Sequence, residues 1–360
     1  MSENDVLVSR VGRLGHIQLN RPKALNSLTL PMVRRFAQAL DGFGREEETI
    51  GVLVTGAGDR GLCAGGDIRG FFERPGGEES PYKQFWREEY CLNAKIASFS
   101  KPYVVLMDGI VMGGGVGVSA HGNRRLVTER TRFAMPETSI GFIPDVGATW
   151  LLTRDGGAGV YMGLSGAIVG AADAILVGMA DLCVDSRDIE PLISTLSHCA
   201  SPQEVDAALL SAASAPGPSV LGEHRALLND LMMHERVEDI IAALVFEGSA
   251  FARDAARELE RKSPTSLRLT HELLKCAKRS RSLQECLLRE FRAACALLDT
   301  HDLREGVRAA IIDKDKSPKW APPTLAEVDD TTIAALLAGT DDEPPTFEAR
   351  KLSEAGSSHA

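Results

Sequence analysis

Residues 107–149 read MDGIVMGGGVGVSAHGNRRLVTERTRFAMPETSIGFIPDVGAT, and the rest of the 360-residue chain is interpreted outward from them. Three consecutive glycines, Gly113 to Gly115, follow the apolar run 101–107 (KPYVVLM). Two acids, Glu137 and Asp145, come later, each directly after a proline. Exposed backbone N–H groups together with two carboxylates can stabilise an oxyanion and move protons. The stretch therefore predicts an active site for acyl-thioester chemistry.

The overall composition argues against several classes of protein. Hydrophobic residues make up 44% of the chain, which is enough for a large core in one or two domains. The formal net charge of −10 disfavours a nucleic-acid scaffold, which needs a basic surface. The seven cysteines form no CxxC pair and favour a reducing compartment. Since the first ten residues lack a signal region and no apolar run reaches about 18 residues, we predict a cytoplasmic protein without nucleic-acid or membrane partners.

Strand and helix patterns alternate along the first half of the chain. Residues 5–20 have the pattern of a hairpin, and residues 49–55 (TIGVLVT) and 103–107 have the pattern of buried strands. Thr29 is a predicted N-cap before an amphipathic helix, and residues 116–121 are predicted to form a helix after the three glycines. This alternation predicts α/β layers.

From Gly163 onward the patterns become mostly helical. Ser263 and Ser282 are predicted N-caps of two long helices. We predict a catalytic core over residues 5–200 and a helical region over residues 201–330 that completes the site. Residues 339–360 are polar and contain prolines, so we predict a disordered tail.

A second glycine-rich stretch, Gly56 to Gly61, matches the GxGxxG pattern of dinucleotide sites. That fingerprint requires a helix to begin on the glycines. Here residues 62–66 (LCAGG) are predicted to continue as a loop. We therefore interpret the stretch as a glycine-rich turn.

The glycines and the acids each allow a simpler interpretation. A glycine run exposes backbone N–H groups to a ligand, and residues 64–67 (AGGD) could supply a second N–H donor to an oxyanion. The alternative is that the glycine runs only allow tight turns or close packing. Glu137 and Asp145 would lie about 12 Å apart along a helix, but the prolines and Gly141 favour a loop that brings both acids to one cavity. Two solvated loop acids are the alternative.

Other catalytic arrangements are not evident in the sequence. No Ser-His-Asp arrangement can be identified, and His121, close to the glycines, is interpreted as helical packing. Histidine and cysteine do not occur at the spacing of a zinc site. We therefore predict no metal.

Six motifs together resemble the enoyl-CoA hydratase/isomerase (crotonase) superfamily and, within it, the branch of 3-hydroxyisobutyryl-CoA hydrolases. The resemblance covers residues 8–328 and implies a crotonase-like (ClpP/crotonase) spiral of ββα units with a mostly helical C-terminal region. It also implies an acyl-CoA substrate, no further cofactor, and a trimer or hexamer. The motifs are residues 19–26 (LNRPKALN), 63–67 (CAGGD), 112–117 (MGGGVG), 135–145 (MPETSIGFIPD), 301–309 (HDLREGVRA) and 312–320 (IDKDKSPKW).

The resemblance also implies roles for individual residues. Gly66 and Gly114 match the positions whose N–H groups form the oxyanion hole, and Glu137 and Asp145 match the catalytic pair. Four further residues match positions along the substrate: Lys23 and Ala24 beside the CoA nucleotide, Ala64 beside the pantetheine, and Glu89 as an acid that contacts the substrate.

One departure from the superfamily pattern separates two chemistries. Hydratases place a glutamate directly after the GGGx run, where this chain has Gly117. Without that acid, addition of water to an enoyl double bond loses half of its acid–base groups, which favours thioester hydrolysis. The alternatives are a hydratase or isomerase on the same fold and a catalytically silent interaction protein.

Overall fold

A computed structural model describes residues 4–69 and 80–347 of the chain. Its strands are β1 (Val6–Val11), β2 (Leu14–Leu19), β3 (Gly51–Gly56), β4 (Gly61–Cys63), β5 (Tyr103–Met107), β6 (Ile110–Met112), β7 (Arg124–Val127), β8 (Arg132–Ala134), β9 (Leu182–Val184) and β10 (Ala213–Ser214). Seven of them form a sheet in the order β1-β2-β3-β5-β7-β9-β10, and three form a second sheet in the order β4-β6-β8. The predicted hairpin over residues 5–20 is confirmed, because β1 and β2 pair antiparallel.

The two sheets arise from a repeated unit. Strands β3, β5 and β7 of the large sheet are each followed, within a few residues, by a strand of the small sheet. The strands from β2 to β9 in the large sheet pair in parallel, and so do the three strands of the small sheet. Such strands are buried on both faces, which explains the continuous apolar runs in β3 and β5. The predicted spiral of crotonase type is confirmed.

Helices cover the sheets and form most of the chain after residue 185. They are α1 (Leu30–Arg45), α2 (Pro81–Ala97), α3 (Gly114–Gly117), α4 (Ala148–Leu152), α5 (Gly157–Ser165), α6 (Ala171–Leu176), α7 (Ile189–Leu196), α8 (Pro202–Ser211), α9 (Val220–Glu223), α10 (Arg225–Leu231), α11 (Val237–Glu247), α12 (Ala250–Glu260), α13 (Pro264–Ala277), α14 (Leu283–Leu297), α15 (His301–Val307) and α16 (Asp330–Ala338). Within the described ranges, none of the helices is both long and apolar enough to cross a membrane.

The helix boundaries follow local sequence signals. Ser263 Oγ accepts from Ser266 N at 3.0 Å, and Ser282 Oγ accepts from Glu285 N at 3.3 Å, so both predicted caps are confirmed. Thr29 stands at the N-cap of α1, but its side chain makes no capping hydrogen bond. A cap supplies one of the N–H partners that a helix start otherwise lacks.

Two local predictions around the glycines are wrong. Residues 62–66 were expected as a loop, but Gly61–Cys63 forms β4, which pairs with β6. The helix after the glycines begins at Gly114 rather than at Val116 and ends at Gly117. It starts early because Gly113 has φ +51°, a left-handed conformation that glycine adopts without a Cβ penalty.

Residues 340–347 differ from the predicted disordered tail. Lys83 and Asp342 form an ion pair at 2.8 Å, and Arg87 Nε donates to the carbonyl of Glu343 at 2.8 Å. The segment therefore lies along α2. Residues 348–360 lie outside the described residues. So do the second half of residues 67–72, where the sequence pattern predicts a helix start, and most of residues 74–81 (RPGGEESP), where it predicts a surface loop.

Candidate active site

A cavity of about 350 Å³ lies between the small sheet and α2. Glycines 65, 66, 113 and 114 line one side, and Glu89, Glu137 and Asp145 line another. Aromatic side chains close the apolar part, where Trp86 and Phe142 stack with ring centroids 5.2 Å apart. The structure thus brings both glycine pairs and three buried acids into one space. Asp67 also lines the cavity, but it is partly exposed and pairs with Arg21 at 3.0 Å.

Pairing of β4 with β6 places the two glycine loops side by side. Cys63 pairs with Val111, so Gly66 and Gly114 follow neighbouring strands. A Cβ added to Gly114 would lie 3.3 Å from the Gly66 nitrogen. The backbone N–H groups of Gly66 and Gly114 have no backbone partner among the described residues. Two free donors this close together form the arrangement of an oxyanion hole.

A 3-10 turn and a tight reversal bring the two predicted acids together. Glu137 begins the turn Glu137–Ile140, and Gly141 then reverses the chain at φ +72°. Phe142 N donates to the Glu137 carbonyl at 3.0 Å, so residues 137–142 form a closed turn. Glu137 and Asp145 are 6% and 5% exposed, which rules out two solvated loop acids.

Glu89, on α2, adds a third carboxyl group. It is 2% exposed, and a Cβ at Gly114 would lie 2.5 Å from its Oε1 atom. The neighbouring Glu88 points away and pairs with Arg34 at 2.6 Å. The helix therefore presents one of two adjacent acids to the cavity.

Burial dominates the electrostatics of the three acids. It raises the pKa of Glu89 and of Glu137 well above 4.5, with further increases from the neighbouring carboxylates. Burial also raises the pKa of Asp145, to about 7, although Tyr90 Oη donates to Asp145 Oδ2 at 2.7 Å and favours the charged form. No lysine or arginine lies among the described residues that line the cavity. Burial is therefore the main cause that disfavours the charged form of all three acids.

The remaining predicted positions lie at the edge of the cavity. Ala64 lines it, and Ala64 N donates to the carbonyl of Leu25 at 3.0 Å. This bond links the cavity to the 3-10 turn Pro22–Ala24, on which Lys23 is exposed. Lys23 and Ala24 do not line the cavity themselves.

Phe72, Phe142 and Trp150 are aromatic residues that could line an acyl pocket or equally belong to the core, and they lie in different places. Phe142 lines the cavity, Phe72 lies outside the described residues, and Trp150 lines a separate cavity. The stretch Gly56–Gly61 forms a turn that leads into β4 rather than into a helix, as expected for a glycine-rich turn.

Several groups of the site were not found from the sequence. Trp86 lines the cavity from α2, three residues before Glu89, and that helical spacing is the signal that could have indicated it. Tyr90 does not line the cavity but donates to Asp145, a contact that no spacing in the sequence indicates. Ala310 and Ile311 line the cavity from the π-helical turn Arg308–Ile312, which has no local sequence signal.

The space around Gly117 is filled. A Cβ at this position would lie 2.7 Å from Asn93 Nδ2 and 2.8 Å from Val146 Cβ, closer than real Cβ contacts. Asn93 is fully buried. A larger side chain at position 117 therefore requires both neighbours to move.

Comparison with known proteins identifies what the chain is similar to. A family model described as enoyl-CoA hydratase/isomerase matches residues 14–337. The 3-hydroxyisobutyryl-CoA hydrolase, mitochondrial, of Danio rerio is 43% identical, over 94% of this chain and 91% of the relative. The protein of the same name from Homo sapiens is 40% identical, over 90% of this chain and 86% of the relative.

Two solved structures share the fold closely but have different names. A carnitinyl-CoA dehydratase from Mycobacterium thermoresistibile is 44% identical with a TM-score of 0.91, covering 96% of this chain and 99% of that one. An enoyl-CoA hydratase from Rhodobacter sphaeroides 2.4.1 is 38% identical with a TM-score of 0.87, covering 95% and 100%. The names of similar proteins thus include both hydrolases and enzymes that add or remove water.

The prediction of a cytoplasmic protein is wrong by the same comparison. The relatives from Danio rerio, Rattus norvegicus and Homo sapiens are all named as mitochondrial. The reducing compartment inferred from unpaired cysteines does not distinguish these two locations.

Proposed function

Because this chain belongs to the enoyl-CoA hydratase/isomerase family, we propose that it hydrolyses an acyl-CoA thioester. The substrate that the relatives' names support is 3-hydroxyisobutyryl-CoA, with 3-hydroxyisobutyrate and CoA as products. The products would fit a step in valine breakdown.

The packing around Gly117 is the observation that favours hydrolysis over hydration. Hydratases of the superfamily carry a glutamate at this position, whereas here Asn93 and Val146 occupy the space that its side chain would need. Hydration of an enoyl double bond would therefore have to proceed without the second acid. Hydrolysis needs one group that acts on the carbonyl carbon and one that protonates the leaving thiolate.

The proposed reaction begins with the thioester carbonyl between the N–H groups of Gly66 and Gly114. A donor aimed at the developing oxyanion contributes about 10²–10³ in rate. Glu137 Oε1 would lie 3.0 Å from a Cβ at Gly113, so it is adjacent to the carbonyl position. Glu137 either attacks the carbonyl carbon, forming an anhydride that water then opens, or deprotonates the water that attacks. In both routes the C–S bond breaks, and Asp145, whose pKa of about 7 leaves it partly protonated near neutral pH, supplies the proton to the thiolate.

A hydroxyl group on the acyl chain would find an acceptor in Glu89. Its Oε1 atom is buried without a hydrogen-bond partner among the described residues. A buried acceptor without a donor costs about 1–3 kcal/mol, and a substrate hydroxyl would remove that cost. We therefore assign Glu89 to recognition of the hydroxyl group.

The CoA portion is proposed to leave the cavity past Ala64 and to follow Ala24 and Lys23. CoA is part of the substrate, and the proposed reaction uses no metal or further cofactor. Thiol release that persists after treatment with EDTA tests this point. A trimer or hexamer, as the family resemblance implies, is tested by light scattering after size-exclusion chromatography.

A thiol-release assay with three substrates tests the function. We expect release of CoA from 3-hydroxyisobutyryl-CoA and release at least about 10²-fold slower from isobutyryl-CoA, which lacks the hydroxyl group. Crotonyl-CoA, followed by loss of its enoyl absorbance, reports hydration. Hydration of crotonyl-CoA without thiol release from the other two would overturn the proposal in favour of a hydratase, and no turnover of any substrate would favour a silent protein.

A further inference from the structure

The turn that presents Asp145 has a strained backbone. Val146 has φ +54° and Gly147 has φ +80°, so two consecutive residues are left-handed. Val146 is β-branched and 1% exposed, and left-handed conformations are rare for β-branched side chains. Such a conformation persists only where surrounding contacts impose it, and it is frequent at active sites.

Two buried side chains supply those contacts. His121 Nε2 donates to the Val146 carbonyl at 2.7 Å. Glu290, on α14 and fully buried, accepts from Gly147 N at 2.6 Å and from Thr149 N at 3.0 Å, and the Thr149 hydroxyl also donates to it. The peptide group between the two strained residues thus has a side-chain partner at its carbonyl and another at its N–H.

We propose that Glu290 and His121 are positioning residues that fix the Asp145 carboxyl group for proton transfer by holding the strained turn. This inference rests on the proposed function, since it assumes that Asp145 acts on the substrate. Neither side chain lines the cavity, so neither touches the substrate. Their effect on the reaction would pass through the backbone of residues 146–149.

A simpler explanation is that Glu290 only caps the short helix α4. The chain offers a matched control for that alternative. Asp173 is 5% exposed and accepts from Leu221 N at 2.9 Å and from the Ser219 hydroxyl at 2.6 Å, at the start of α9 and away from the cavity. It is therefore a buried carboxylate with the same kinds of donors at another helix start.

The test compares Glu290→Gln with Asp173→Asn. We expect Glu290→Gln to lower kcat for 3-hydroxyisobutyryl-CoA about 10²-fold, as for a catalytic group misplaced by about 1 Å, with KM little changed. Both variants should lower the thermal midpoint, but Asp173→Asn should leave kcat unchanged. Equal kcat values in the two variants would overturn the proposal.

Two further pairs of variants, each a disruptive and a conservative substitution at one position, make the test independent of how well Glu290→Gln folds. Thr149→Val removes one donor to Glu290 and is expected to lower kcat, whereas Thr149→Ser keeps the hydroxyl and should restore it. His121→Leu removes the donor to Val146 and should lower kcat, whereas His121→Gln, which keeps an N–H donor, should recover part of it. Absence of both rescues would also overturn the proposal.

Hydrogen exchange separates this inference from the proposed function. If the wild-type protein released no thiol from any substrate, the proposed function would fail, but the backbone could still be measured. Peptides over residues 145–152 should exchange faster in Glu290→Gln than in the wild type and in Asp173→Asn. Unchanged exchange there would show that Glu290 does not hold the turn.

Discussion

The two halves of the site are built in different ways. The glycine half consists of backbone groups on loops that directly follow β4 and β6, and the pairing of those strands brings the loops together. The acid half consists of side chains from α2 and from the loop between β8 and α4. Its support comes from far along the chain, since Glu290 contacts a backbone group 143 residues away.

This difference determines what each half cannot tolerate. The glycine half requires empty space, because an added Cβ at Gly114 would meet the Glu89 carboxyl at 2.5 Å. The acid half holds three buried carboxyl groups, and no lysine or arginine is among the described residues that line the cavity. Substitutions should therefore act through geometry in the first half and through charge in the second.

Removal of the charge at Glu137 should give the largest effect. Glutamine has nearly the same shape but neither attacks a thioester nor deprotonates water, so we expect Glu137→Gln to lower kcat about 10²–10⁴-fold. The thermal midpoint should not fall, because the pKa of Glu137 is raised by burial and the charge is unfavourable there. Thiol release and thermal unfolding measure the two quantities. A variant that loses stability together with activity would show that the acid is structural.

Addition of one methyl group to the glycine half should give the next largest effect. In Gly114→Ala the Cβ would meet Glu89 Oε1 and would lie 3.2 Å from Leu28 Cδ1, so the backbone donor must move. We expect kcat to fall about 10²–10³-fold, the contribution of one oxyanion donor. Gly42→Ala in α1 is the control, since its Cβ would meet nothing within 4 Å. Full activity in Gly114→Ala would contradict the assignment of the oxyanion hole.

The same difference explains how far the sequence could predict the site. Gly113–Gly115 and the acids that follow prolines are local signals, and the structure places Gly113, Gly114 and both acids at one cavity as expected. Glu89 could be assigned only through the resemblance, because two adjacent acids on a helix do not show which one faces inward. Glu290 and Asn93 were not predicted at all. Their importance depends on contacts between distant elements, and no spacing in the sequence encodes such contacts.

The fold was predictable for a similar reason. Alternating apolar runs gave the α/β layers, and the serine caps gave the starts of α13 and α14. The short strand β4 was missed because three residues are too few to show a period. It forms through pairing with β6, which is a contact between residues about 50 positions apart.

A third prediction concerns stability in the acid half. Folding favours the protonated form of Glu89, whose pKa is raised above its ordinary value of 4.5 by burial and by Asp145 and Glu137. Its contribution to stability is therefore complete below pH 4.5 and is lost as the pH rises toward the folded-state pKa. Glutamine does not ionise, so Glu89→Gln should be more stable than the wild type at pH 8, by about 1–3 kcal/mol, and not at pH 4.

Urea unfolding at the two pH values measures this difference. Glu88→Gln is the matched control, because Glu88 pairs with Arg34 outside the cavity and its pKa is lowered. That variant should lose stability at pH 8 rather than gain it. An equal response of both variants would show that the cavity does not disfavour charge.

The smallest effect is expected from the segment that supports α2. Lys83 and Asp342 are only 12% and 16% exposed in their side chains, and their ion pair joins residues 340–347 to the helix that carries Glu89. Asp342→Asn should lower the free energy of unfolding by up to about 1 kcal/mol and reduce kcat slightly. The exposed pair of Arg257 and Asp254, on α12 and away from the cavity, provides the control, and Asp254→Asn should change neither quantity. If the two variants behave alike, the segment does not support the acid half, and α2 is positioned without it, by its contacts with helices such as α1, α3 and α14.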